Sequence, residues 1–110
     1  MINAKCLVKI GEENFEIIVN VGRMIEIERL SGKTFMQSLK DAEKGSISSI
    51  AMLLASCLCK DETPVGMKFV EDMDFDVFDE LTSPLIDTIL KAFPDKKSGK
   101  KKVTVLTKMK

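Results

Sequence analysis

The sequence predicts a mainly α-helical domain of the α+β class: a small N-terminal β-hairpin, a compact bundle of four to five short helices, and a flexible basic C-terminal tail. Three observations predict it. The first twenty residues alternate between apolar and polar positions, the period of a half-buried strand. From Val21 to Phe93 apolar residues recur three and four apart, the period of an amphipathic helix. At Lys96 the composition turns abruptly to lysine. One mostly helical domain over residues 1–95 and a lysine-rich tail over 96–110 follow from this.

The hairpin rests on Asn3 to Ile10 and Asn14 to Asn20, which flank Gly11-Glu12-Glu13. Cys6, Val8 and Ile10 fall on one side of the first run, and Phe15, Ile17 and Val19 on one side of the second. Both runs are rich in β-branched residues, and glycine supplies the turn. Val21 to Leu30 carries two signals. Met24, Ile27 and Leu30 make a helical stripe, while Ile25-Glu26-Ile27-Glu28 alternates like a strand. Arg23, Glu26 and Arg29, three apart, favour the helix, and Ser31-Gly32 stops it. Thr34 to Glu43 resumes with Phe35 and Leu39 one turn apart, and Lys44-Gly45 ends that segment.

Ser46 is suited to cap the next helix. Ile47, Ile50, Leu54, Cys57 and Leu58 line one side of it, with Met52 and Leu53 on the flanks. It is apolar around much of its circumference, so Ser46–Cys59 is expected to be the central buried element. Thr63-Pro64 and Ser83-Pro84 each read as an N-cap followed by proline at the first helical position. The first pair would open a short helix bearing Val65, Phe69 and Met73, the second a helix with Leu85, Ile89 and Phe93 at four-residue steps. Phe75, Phe78 and Leu81 give one or two further turns between them, and Pro94 closes the last helix. In the tail, KKSGKKK has no apolar content and is expected to be flexible. VTVLTKMK alternates weakly and would form a strand only against an offered edge.

Charge is segregated although the formal net charge is zero. Met1 to Cys59 holds 7 basic and 7 acidic residues, Lys60 to Asp95 holds 3 and 10, and Lys96 to Lys110 holds 7 lysines and no acid. The acidic block reads as a solvated face or as a surface for a basic partner. The basic tail suits nucleic acid, an acidic protein or the acidic block of a neighbouring copy. Seven methionines fill core gaps or suit a surface that re-packs against partners.

The chemistry of catalysis is sparse. The chain has no histidine, which leaves general acid–base work to carboxylates or lysine. Asp72, Asp74 and Asp76 alternate like the start of a calcium loop, but glycine at the sixth position and glutamate at the twelfth are replaced by Val77 and Ser83. Cys6, Cys57 and Cys59 lack zinc-ligand spacing and read as reduced thiols of a cytosolic protein. Gly11, Gly22 and Gly32 stand alone, without a phosphate-binding loop. No signal-peptide run is present, and Ile50 to Leu58 is too short to cross a bilayer. No catalytic residue, metal or cofactor is expected, and the chain does not read as an enzyme.

The segment MIEIERLSGK, Met24 to Lys33, has the form apolar-x-x-apolar-Glu-x-x-x-Gly-Lys. FMQSL, SISSIAMLLASCL, TPVGMKFVEDMDFDVFDEL and PLIDTILKAF follow it in order. This succession resembles the small tail assembly chaperones of long-tailed bacteriophages and prophages over roughly Phe15 to Phe93. Met24, Glu28, Gly32 and Lys33 carry the family pattern, whereas Met52-Leu53-Leu54 stands where the family tends to have an aromatic. The resemblance implies a cytoplasmic protein, absent from the mature virion. It would bind the tape measure protein, keep that long helical partner soluble and help recruit tail tube protein. It also raises the hypothesis of a frameshifted longer form if Lys96-Lys97 and Lys100 to Lys102 are written in slippery A-rich codons, against a plain basic tail. A gene without a slippery heptamer and an overlapping frame removes that idea.

The expected contact surface is the exposed part of the last two helices around Met73, Phe75, Phe78 and Leu85, where a groove would accept an amphipathic helix. The alternative is that both rings are core, more so for Phe78. Self-association into a homo-oligomer stays open. Two other classes compete: a small nucleic-acid-binding or regulatory protein using the tail, and a minor structural protein of the phage tail. Against the former, Met1 to Asp95 carries 10 basic and 17 acidic residues.

Overall fold

The computed structural model describes residues 3–93. The elements run β1 (Ala4–Ile10), β2 (Glu13–Val19), α1 (Val21–Ser31), α2 (Phe35–Glu43), α3 (Ile47–Cys57), β3 (Leu58–Lys60), β4 (Thr63–Pro64), α4 (Gly66–Glu71) and α5 (Phe75–Ala92). Five helices thus pack with a four-stranded antiparallel sheet of order β1-β2-β3-β4. The readings of Pro94 as a helix stop, and of 96–110 as a basic tail with a latent strand, lie outside the described residues.

The hairpin forms as its alternation predicts. β1 and β2 pair from Ala4↔Val19 to Ile10↔Glu13, so the loop is the two residues Gly11-Glu12. Gly11 takes φ +61° at the first loop position, the site that glycine fills without strain in a type II′ turn. The pleat turns Phe15, Ile17 and Val19 into the core, where Cys6, Val8 and Ile10 join them half-buried. Lys5, Leu7 and Lys9 face outward.

The two signals over Val21–Leu30 resolve as helix. Asn20 caps α1 by accepting the Arg23 N–H on Oδ1 at 3.0 Å. The helix ends where Gly32 enters the left-handed region at φ +72° and donates its N–H to Glu28 O. Of the expected stripe, Ile27 is fully buried and Met24 half-buried, but Leu30 is 39% exposed. Thr34 caps α2 through Gln37 N–H. That helix closes with Gly45 N–H on Ala42 O and Ser46 N–H on Asp41 O, the paired bonds of a Schellman motif.

α3 begins at its Ser46 cap and packs against all four other helices. Leu53, placed on a flank by the sequence, is fully buried, whereas Ile47 is 61% exposed. The helix stops at Cys57, not Cys59. Leu58 turns to φ −77°, ψ 121° and starts β3, which pairs with β2 at Ile17↔Leu58 and Glu16↔Cys59. The apolar run continues through this junction because a buried strand and a buried helix need the same residues.

The two proline signals need correction. Thr63-Pro64 is strand, not a helix cap. Pro64 pairs opposite Cys59 on the outermost strand, where a missing N–H is tolerated. The β3–β4 turn is Asp61-Glu62, both at positive φ (53° and 68°). α4 then starts at Gly66 with no side-chain cap and buries Val70.

Ser83-Pro84 lies inside α5, so the two expected helices are one of 18 residues. Proline there removes a backbone bond and costs about 3 kcal/mol. Phe78, Leu81, Leu85, Thr88, Ile89 and Ala92 keep one buried stripe through the proline, and that burial offsets the cost. Thr82 Oγ1 donates to Phe78 O at 3.1 Å and Thr88 Oγ1 to Pro84 O at 2.7 Å, adding side-chain bonds on either side of it.

Two substitutions test these local strains. Pro84→Ala restores the missing bond and is expected to stabilise the fold by about 1–2 kcal/mol, after allowance for the freer unfolded chain. Urea unfolding reads it as a higher midpoint at constant m. Glu62→Gly relieves the left-handed strain of the turn and is expected to add about 1 kcal/mol in the same assay. A lowered midpoint contradicts the corresponding assignment.

Candidate partner-binding cleft

Two chain-distant segments, the end of β1 and the stretch from α4 into α5, meet in one cleft. α4 brings Phe69, the α4–α5 corner brings Met73, α5 brings Val77, and β1 ends there with Ile10. Together with Asp72 and Asp74 they line a cleft of about 350 Å³. A second hollow of about 280 Å³ adjoins it, sharing Ile10 and Val77 and extending along Val8, Leu81 and Pro84. The two make an apolar groove along the seam between β1 and α5.

One ring, Phe69, lines this groove, and a second exposed ring, Phe75, stands on the first turn of α5 outside its lining. Phe69 is 38% exposed and its ring lies 5.6 Å from Phe15, which also carries the Lys60 ammonium 5.6 Å over its face. Phe75 is 63% exposed and tilts against Phe78 at 6.2 Å between centroids. A phenyl ring held this far into water is a cost that burial against a partner would remove, about 25 cal/mol per Å² covered.

Carboxylates border the groove: Asp72 and Asp74 line the cleft, and Glu80, with Lys9, lines the adjoining hollow. Glu71, Asp76 and Asp79 are exposed on the same stretch of chain, giving six exposed acids from α4 into α5. Asp74 and Asp76 occupy the N-terminus of α5, where negative charge complements the helix dipole, and Asp72 pairs with Lys68 at 3.2 Å. Those contacts account for three of the six. The cleft therefore combines an apolar floor with a negative border, the chemistry of a surface that receives a basic amphipathic segment.

The four residues expected to form the contact surface do not stay together. Met73 lines the cleft, whereas Phe75 is exposed but outside its lining. Phe78 is only 8% exposed and Leu85 is fully buried, both on the stripe of α5 that faces the core. The continuous helix is the reason: positions 78, 81 and 85 share one face, and position 75 falls at its margin. Ile10, Phe69 and Val77 were not anticipated as lining residues. Phe69 and Val77 stand four residues either side of Met73 in the sequence; Ile10 comes from a separate segment and reaches them only through the fold.

The family-pattern residues have structural work. Glu28 Oε2 accepts the Phe35 N–H at 2.9 Å, tying the end of α1 to the start of α2. Gly32 supplies the left-handed cap, Lys33 pairs with Asp41 at 2.6 Å, and Met24 packs on the core. The Lys33 ammonium, then the Gln37 amide, hold the Asp41 carboxyl below the usual carboxylate range. Its contribution is present near neutral pH and is lost as pH falls through that lowered value. None of these four residues lines the cleft.

Among the described residues no three Cys, Asp or Glu side chains stand close enough to hold a metal ion, and no helix is long and apolar enough to cross a membrane. Cys57 and Cys59 are buried and Cys6 is partly exposed. Burial, with the neighbouring Cys59 adding to it, pushes the Cys57 thiol up to about 12, and burial raises Cys59 as well. A thiol so raised is a poor nucleophile. Titration with a thiol-specific reagent at pH 8 is therefore expected to modify Cys6 first, with Cys57 reacting only when the domain unfolds. Rapid native reaction of Cys57 contradicts the packing described.

Compared with known protein families, characterised proteins and solved structures, the chain matches none.

Proposed function

We propose that this protein is a binding module, not an enzyme: a tail assembly chaperone of the long-tailed phage type, whose β1–α5 groove receives a helical segment of the tape measure protein. The observation that carries the reading is the apolar cleft of Ile10, Phe69, Met73 and Val77 with Asp72 and Asp74 at its border, together with the exposed Phe75 ring on the first turn of α5. Such a site shields the apolar stripe of a partner helix while its charged border keeps the complex in solution. The order of elements from the hairpin to α5 supports the same reading through its resemblance to that chaperone family. Recruitment of tail tube protein and release before the virion is complete belong to the proposal.

The alternative of nucleic-acid binding finds less support in the described surface, because the exposed groups around the cleft are carboxylates that repel phosphate. A minor structural role in the finished tail is separated from a chaperone by whether purified virions contain the protein.

The test is co-expression with the tape measure protein. Phe75→Ser removes an exposed ring and is expected to leave the fold intact. It should weaken capture of the partner on the order of ten-fold and lower its soluble yield. Ile25→Ser on α1, at 62% exposure, is the matched control and should change neither. Equal yields for Phe75→Ser and wild type, or a loss with Ile25→Ser alone, overturn the choice of surface. Failure of the wild-type protein to raise partner solubility overturns the chaperone reading itself.

A further inference from the structure

We propose that a separate hollow, between α1 and α4 over the last turn of α3, is a binding site for a small aliphatic carboxylate, held by the Arg23 guanidinium and the Ser56 hydroxyl. The inference does not rest on the chaperone reading, because this hollow shares no lining residue with the β1–α5 groove.

The hollow measures about 440 Å³, inside the range of small-molecule sites, roughly 300–1,000 Å³. α1 lines it with Arg23, Glu26 and Leu30, α3 with Ser56, and the chain from β4 into α4 with Pro64 and Met67. Both α1 and α4 pack on α3, so these walls are fixed by the core of the fold.

The Ser56 hydroxyl calls for an acceptor. Ser56 is 1% exposed, and its Oγ is buried with no hydrogen-bond partner among the described residues. Buried hydroxyls are nearly always paired, and an unpaired one costs free energy. Thr82 and Thr88 show the ordinary solution inside a helix, each donating to the carbonyl four residues back. Ser56 does not take it, and the space it lines is where an acceptor fits.

The Arg23 guanidinium calls for a negative charge. It is half-buried and makes no ion pair among the described residues. Glu26, the acid in the same lining, is already paired with Arg29. A guanidinium offers a planar fork of N–H donors that matches the two oxygens of a carboxylate. The remaining wall is apolar: Leu30 is 39% exposed, and Pro64 and Met67 are half-buried. A bare inorganic anion leaves that wall wet, whereas a short hydrocarbon body covers it. Charge, hydroxyl and apolar wall together select an aliphatic acid.

Amide spectra during titration with hexanoate test the site, with hexan-1-ol as the uncharged probe of the same length. Saturable shifts at Arg23, Ser56 and Met67 are expected with hexanoate, with a dissociation constant on the order of millimolar for so small a ligand. Arg23→Gln and Ser56→Ala should each weaken binding about ten-fold. Ser56→Ala should also raise the urea midpoint of the free protein, because it deletes an unpaired polar group. Ser49→Ala, which removes the other unpartnered buried hydroxyl of α3, should leave hexanoate binding unchanged. N-acetyl-leucine distinguishes the source of the carboxylate: if it binds more tightly than hexanoate the ligand is a chain terminus, if more weakly a free acid, and either result keeps the site. Absence of saturable shifts with both acids, equal binding of hexan-1-ol and hexanoate, or wild-type affinity in folded Arg23→Gln or Ser56→Ala overturns the proposal. So do shifts confined to Ile10 and Val77, which place the acid in the other groove.

Discussion

An apolar run from Ile50 to Cys59 has to leave water on every side without leaving its backbone unpaired, and the fold is arranged around that requirement. As helix, the run satisfies its own backbone and is covered by α1, α2, α4 and α5. At Leu58 the chain leaves the helix while still buried, a place where orphaned amide groups are costly. The Leu58 N–H bonds back to Leu54 O, its carbonyl accepts the Val65 N–H at 2.9 Å, and the residues that follow pair with β2. Helix passes to strand with no intervening loop, so the helical layer and the sheet share one covalent spine. The direction of β3 fixes where β4 and α4 lie, and through them the position of Phe69.

Everything that faces outward at the α4–α5 corner is a consequence of that placement. α4 has only six residues and no side-chain cap, so it holds its position by tertiary contact, chiefly with α3. Its far end supplies a floor residue to the cleft, and α5 starts immediately beyond. The negative border is partly structural, since acids at a helix N-terminus stabilise it, and partly in excess of what the fold needs. The excess charge and the exposed Phe75 ring are two features that packing leaves unexplained, as it does the exposed Leu7, Ile25 and Ile47 on other elements.

Much of the fold is legible in the sequence where the signal is local. The hairpin, the stop at Gly32, the Ser46 cap and the central place of α3 follow from turn chemistry, capping and period. The failures have one physical origin: a local rule overruled by distant contacts. Thr63-Pro64 has the composition of a helix start, yet β3 offered an edge. Ser83-Pro84 has it as well, yet a buried stripe from Phe78 to Ala92 outweighs one missing hydrogen bond. Joining those two helices into one also fixed the phase of α5, turning Phe78 and Leu85 inward and leaving only Met73 and Phe75 at the surface of the four residues expected there. Of the cleft, Met73 was anticipated, and Phe69 and Val77 lie four residues either side of it; Ile10 was illegible as a lining residue because β1 meets that stretch only in three dimensions.

The wall formed by Ile10 has a thermodynamic meaning. Ile10 ends β1, the edge strand of the sheet, and the opposite wall belongs to α5. The two are joined by packing, not by ladder bonds, so the groove exists only while the hairpin stays seated on the helix. Whatever settles into the groove binds the folded chain alone and draws the folding equilibrium with it, by about 2.7 kcal/mol at a hundred-fold excess over its dissociation constant. Occupancy and stability are therefore one quantity measured in two ways. A domain with its cleft filled is a more stable object than the same domain with its cleft empty.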